Sequence, residues 1–112
     1  MRLRSDIWVA AYLRRVASEG SVAVLRRRGA SEAGAIYVVV DRLDGRAALF
    51  APGPVDEAME GERRWFRAHA SDWLDPADIE TRLSRDVRND PDLWVVEVEN
   101  RDGRHWLDLV RT

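Results

Sequence analysis

The segment Ala35-Ile36-Tyr37-Val38-Val39-Val40 is a nearly continuous apolar run, and it constrains the fold more than any other stretch of the chain. A strand with one wet face alternates apolar and polar residues, so a run without alternation reads as a central strand buried on both faces. Asp44-Gly45 follows and reads as a tight hairpin turn, because glycine supplies the positive φ that such turns require. Arg46 to Ala51 is then the return strand, and Pro52-Gly53-Pro54 stops it.

The other elements arrange themselves around this hairpin. Ser5 is placed to cap a first helix, Asp6 suits its positive end, and Ile7 to Ser18 lacks Gly and Pro. That helix is apolar nearly all round over Ile7 to Leu13, so it should be covered on more than one side. Val22-Ala23-Val24-Leu25 reads as a strand running out through Arg26-Arg27-Arg28 to Gly29. The acidic stretch from Pro54 through Gly61 reads as an exposed loop, and Glu62 to His69 as a strand or a short helix, with Trp65-Phe66 at its centre favouring the strand. Asp75-Pro76 is a helix start, with Ile79, Leu83 and Val87 on one face and Asn89-Asp90-Pro91 at the end. Leu93 to Glu99 alternates as a strand, Asp102-Gly103 supplies a second hairpin turn, and Arg104 to Val110 is its return strand. Two hairpins imply antiparallel pairing. The expected fold is α+β: an antiparallel sheet of five or six strands with two helices on one face.

With 112 residues and no linker or repeat, the chain is expected to form a single compact domain over 1–112. A chain of this size buries roughly two-thirds of its unfolded surface and needs no covalent staples. Cysteine is absent, which removes thiolate metal sites, a cysteine nucleophile and a disulfide framework and suits a reducing compartment. The apolar run Ile7 to Leu13 is too short to span a bilayer. Asp6 before it and Arg14-Arg15 after it also argue against a signal peptide. No membrane association and a cytoplasmic location are therefore expected.

Every basic side chain other than histidine is an arginine, and the charge is uneven. Residues 1–50 carry nine Arg against five acids, net +4, whereas residues 51–112 carry nine Arg against fifteen, net −6. Guanidinium forks suit carboxylate, phosphate or aromatic partners. Arg63-Arg64-Trp65-Phe66-Arg67 interleaves cations with aromatics, the combination that stacks bases and holds phosphates in single-stranded nucleic acid binders. With Arg26, Arg27 and Arg28 it is a candidate ligand platform. The competing reading packs Trp65 or Phe66 inward and pairs the arginines with the chain's own acids around Glu57, Glu60 and Glu62. Trp8 and Trp94 lie in apolar runs and read as core; Trp65, Trp73 and Trp106 have polar neighbours and are candidate interface anchors.

Signals for chemistry are few. His69 and His105 are the only side chains that titrate near neutrality unaided. Asp102 and Asp108 lie three positions either side of His105, which on a strand puts them on the opposite face from the imidazole. No H-x-H, H-E-x-x-H or G-x-S-x-G spacing occurs. Gly29 and Gly34 frame a loop after a strand, but a strand rather than a helix follows, so a phosphate cradle does not form there. No catalytic residue, metal ligand or cofactor is assigned.

The blocks Ile7-Trp8-Val9-Ala10-Ala11-Tyr12-Leu13-Arg14-Arg15, Arg27-Arg28-Gly29, Ala33-Gly34-Ala35-Ile36, Arg42-Leu43-Asp44-Gly45 and Asp90-Pro91-Asp92-Leu93-Trp94-Val95-Val96-Glu97-Val98-Glu99 together resemble a family of short bacterial proteins known only as a domain of unknown function. The resemblance covers almost the whole chain and is weakest over 54–75. It implies one compact domain and brings no activity, cofactor or catalytic residue with it. On the residues themselves, the expectation is a non-enzymatic interaction module that self-associates as a homodimer, the basic half of one copy meeting the acidic half of another. Nucleic acid or another polyanion on Arg26, Arg27, Arg28, Arg63, Arg64, Trp65 and Arg67 is the alternative. A small enzyme using His69 or His105 with an arginine clamp on an anionic substrate ranks third.

Overall fold

The computed structural model describes residues 2–54 and 62–110. In chain order it contains α1 (Ser5–Ser18), β1 (Val22–Arg27), β2 (Ile36–Asp41), β3 (Ala47–Pro52), β4 (Trp65–Arg67), α2 (Pro76–Asn89) and β5 (Trp94–Glu99). The acidic stretch 55–61, expected to be an exposed loop, lies outside the described residues.

The five strands form one sheet in the order β1-β5-β2-β3-β4. The β2–β3 hairpin forms as expected, with Val38 opposite Phe50 and Val40 opposite Ala48; Gly45 sits in its turn at φ +82. The all-apolar run is the middle strand. Its even residues Ile36, Val38 and Val40 pack with Phe50, Trp94 and Val96 against Val9, Tyr12 and Val16 of α1. On the other face, Val39 packs with Leu49, Leu93 and Val95 against Ile79 and Leu83 of α2. The helices therefore lie on opposite faces of the sheet and not together on one. A strand apolar at successive positions leaves two faces to shield, and burying each large aliphatic side chain contributes roughly 1.5–3 kcal/mol.

The sheet is mixed where an antiparallel one was expected. β5 enters between β1 and β2, antiparallel to the first and parallel to the second. To reach that slot from β4 at the far edge the chain must cross a face of the sheet, and α2 is the crossing element. Its start is as the sequence indicates: the Asp75 carboxylate accepts from the Ala77 N–H (2.8 Å) and Pro76 occupies the first turn.

Two local readings are corrected. Ser5 is not a helix cap; it is the first residue of α1, fully buried, and its hydroxyl donates to the Gly34 carbonyl (2.7 Å). Residues 104–110 do not return as a strand beside β5. The Asp102-Gly103 turn forms, with Gly103 at φ +75 and its N–H on Asn100 O (3.0 Å). Both edges of β5 are already taken by β1 and β2, so no ladder remains for a return strand. The chain instead crosses the α1 face and runs beside β4, where the Trp65 N–H donates to Asp108 O (2.9 Å) and the Val110 N–H to Trp65 O (2.8 Å).

Candidate functional site

The two arginine clusters lie at opposite edges of the sheet, four strand spacings or about 19 Å apart, so they do not form one platform. At the β1 edge, Arg26 forks onto both carboxylate oxygens of Glu80 (2.8 Å each) and reaches Glu97 (3.1 Å). The Arg26 bond holds the Glu80 carboxyl below its ordinary range. Glu97, more enclosed, is raised because burial outweighs the same guanidinium's attraction. Arg27 donates to the Pro91 carbonyl (2.7 Å), and the Arg28 guanidinium lies 5.1 Å over the Trp94 ring. Each member of the triplet is thus turned onto its own chain.

The second cluster is similarly engaged. Trp65 is buried in the core and donates its indole N–H to Ile36 O (2.9 Å), so it is neither a stacking platform nor an interface anchor. Phe66, next in line, points outward at 45% exposure. Arg64 lies 3.6 Å from Glu62; Glu57 and Glu60, the other suggested partners, fall outside the described residues. Arg67 donates to the Asp72 carbonyl and stacks over Phe50 and Trp73, 5.1 Å from each. Arg63, like Arg67, meets no carboxylate among the described residues, and it donates to Leu3 O (2.9 Å) and Ser5 Oγ (3.1 Å).

Both histidines serve the backbone. His69 Nε2 accepts from the Leu49 N–H (3.1 Å) while Nδ1 contacts Ser71 O (2.6 Å), an arrangement that requires the neutral ring protonated at Nδ1. His105 Nδ1 accepts from the Leu107 N–H (2.9 Å), with the ring against Phe50. Burial lowers both pKa values; the arginine charges of Arg67 and Arg82 push His69 the same way, Asp72 and the Ser71 carbonyl oppose, and Arg67 adds to the shift at His105. As pH falls below the ordinary value near 6.5, the unfolded chain therefore takes up protons before the folded one. The contribution is complete above about pH 6.5 and is lost progressively as pH drops toward the folded values. The urea midpoint is expected to fall between about pH 7.5 and 5.5; a flat profile would contradict these roles. Among the described residues no group of three or more His, Cys, Asp or Glu could hold a metal ion.

The feature missed at the sequence level is the state of the sheet's two edges. At the β4 edge, Trp65 is paired with residues 108–110. Along the outer edge of β1 no segment of the described residues is paired, and Val22, Val24 and Leu25 stand 54%, 45% and 39% exposed. Four successive residues rich in β-branched side chains signalled a strand; nothing local signalled an uncovered one.

A family model described as a protein of unknown function, DUF1491, matches residues 3–108. The chain belongs to the DUF1491 family. The blocks quoted above from the sequence are thus those of a family without an assigned activity. A crystal structure of a DUF1491 family protein from Caulobacter crescentus CB15 is 40% identical, covers 100% of both chains and superposes with a TM-score of 0.82. An NMR structure of a DUF1491 family protein from the same organism is 43% identical over 100% of this chain and 99% of that one, with a TM-score of 0.81. A solution structure of a protein from A. tumefaciens is 37% identical over 100% and 98%, with a TM-score of 0.82. No curated protein matches. The described residues of this DUF1491 protein contain no helix long and apolar enough to cross a membrane.

Proposed function

We propose that this DUF1491 protein is a non-enzymatic interaction module that pairs with a second copy of itself along the open edge of β1. The observation that carries this reading is the exposure of Val22, Val24 and Leu25 on an edge without a partner among the described residues. Natural sheets blunt such edges with lysine, proline, a bulge or a covering segment. Residues 22–25 have none of these, and the irregularity in β1 begins only between Leu25 and Arg27.

Antiparallel self-pairing about a two-fold axis must keep each side chain on its own face. A register centred on Val24 does so: Val24 meets Val24 of the second copy, Arg26 meets its Val22, and Leu25 meets its Ala23. No arginine then faces an arginine. Because Val22 pairs with Glu99 across the β1–β5 ladder, Arg26 of one copy comes within two strand spacings, about 9.6 Å, of Glu99 of the other. Arg26 stays bound to its own Glu80 and Glu97, so Glu99 of the other copy adds only longer-range attraction and the apolar edge residues carry the pairing. A short edge buries less than the ~1,200–2,000 Å² of a stable complex, so the expected dimer is weak, with a Kd of about 10 µM or above.

Sedimentation over concentrations up to about 1 mM and a range of salt tests the reading. Val24→Lys puts a charge on the edge without touching the core and is expected to weaken dimerisation by about tenfold or more, with an unchanged circular dichroism spectrum. A monomer at every salt and concentration would remove the proposal, as would a dimer indifferent to Val24→Lys. A polyanion platform draws no support from arginines bound to their own chain at opposite edges, and a general base none from imidazoles that accept backbone N–H bonds. A cysteine-free chain suits a reducing compartment, consistent with action in the cytoplasm.

A further inference from the structure

The start of α1, residues 62–65 and residues 106–108 surround two adjoining open hollows of about 240 Å³ each, together within the ~300–1,000 Å³ common for small-molecule sites. Trp8 belongs to both. Its indole stacks on Tyr12 at 4.8 Å and 15° and lies 4.7 Å from Trp65, so two aromatic neighbours hold the ring in place. Leu3, 52% exposed, extends the apolar surface. Arg2 and Arg63 form one wall.

Arg63 is a cation without compensation from the described residues. Its Nε is buried and meets no acceptor among the described residues, and its Nη2 is spent on a carbonyl and a hydroxyl. Burial, with Arg2 nearby, pushes this guanidinium down to about 10. In the adjoining hollow, Trp106 carries two costs at once: φ is +54 in a residue other than glycine, and its buried indole N–H has no acceptor among the described residues. Unfavourable backbone and unpaired polar groups of this kind gather at binding sites, where the ligand's arrival offsets them.

We propose that this hollow binds a small ligand bearing one anionic group, carboxylate or phosphate, on a flat aromatic ring. The anion sits on the Arg2 fork, which matches two oxygens at once, with Arg63, whose Nη2 is already engaged, adding its charge, and the ring lies against Trp8 and Leu3. Asp108 and Glu62 also line this hollow and disfavour a second anionic group, which selects against polyanions. The site lies by β4, the edge remote from β1, so it stands or falls independently of self-association.

Titration of the full chain with phenyl phosphate and with benzoate, followed through the indole N–H resonances by NMR, tests this. Phenyl phosphate is expected to shift Trp8 and Trp106 and to bind about tenfold or more tightly than inorganic phosphate or phenol alone. The exposed Arg2→Gln, which leaves the core intact, should weaken binding by about tenfold or more, and Arg63→Gln by a smaller factor in the same direction; Arg85→Gln should change nothing. Affinity no better than that of inorganic phosphate would overturn the proposal. So would binding unaltered by Arg63→Gln and Arg2→Gln, shifts that avoid Trp8, or binding that emerges only once Asp56, Glu57 and Glu60 are replaced by their amides, since the chain's own carboxylates would then be the natural occupants.

Discussion

Trp94→Ala is expected to cost about 3–5 kcal/mol, enough to leave a domain of ordinary stability, ~5–15 kcal/mol, marginal or unfolded at room temperature. Trp94 is 1% exposed at the start of β5. It does more than fill volume. Its indole N–H donates to Ala30 O (2.8 Å), its ring carries the Arg28 guanidinium, and its backbone N–H donates to Ala35 O (2.7 Å) at the head of the central parallel pair. Truncation opens a cavity between β5 and the 28–34 loop and strips that loop of its anchor. Trp94→Phe retains most of the volume but loses the hydrogen bond, for an expected cost of about 1–2 kcal/mol. Urea denaturation of the two variants checks both figures, and an alanine variant within about 1 kcal/mol of the parent would sink the account.

Gly34→Ala should cost about 3 kcal/mol by overpacking. A Cβ there would overlap the Asp92 carbonyl oxygen and stand 2.9 Å from both Ala30 O and Trp94 Nε1. None of these atoms can swing aside, since two are backbone and the third belongs to the anchored indole. Gly34 cannot retreat either, because its N–H donates to Ala30 O (3.2 Å) and its carbonyl receives the buried Ser5 hydroxyl (2.7 Å). Gly45→Ala is the useful contrast. Nothing lies within 4 Å of its would-be Cβ, and its backbone is at φ +82, so the cost is conformational alone, about 1–2 kcal/mol. If thermal melts ranked Gly45→Ala as the more damaging, close approach at Gly34 would be the wrong explanation.

These positions show what the sequence made legible. Gly34 and Trp94 both fall in blocks that resemble the family, yet their contact spans 60 positions of chain and no periodicity announces it. Ser5 is similar: a serine before a helical segment reads as a cap, but a carbonyl 29 residues away took the hydroxyl. The Arg26-Arg27-Arg28 triplet was visible as charge, whereas its partners Glu80, Glu97, Pro91 and Trp94 come from segments that only folding brings close. The hollow beside Trp8 was not legible at all, because it is assembled from the two ends of the described chain and residues 62–65.

By itself the sequence determined both helices, the β2–β3 hairpin, the alternating β5, the buried middle strand and the family. Each depends on periodicity, caps and turn residues within a few positions of one another, or on the blocks of residues as a set. Only the tertiary structure decided that β5 lies between β1 and β2, that the helices take opposite faces, that residues 108–110 pair with Trp65 of β4 and that no described segment pairs with the outer edge of β1. Those outcomes are competitions between distant segments for the same row of N–H and C=O groups or the same apolar face. A strand has two edges, and which segment occupies them depends on what else the chain has already placed there.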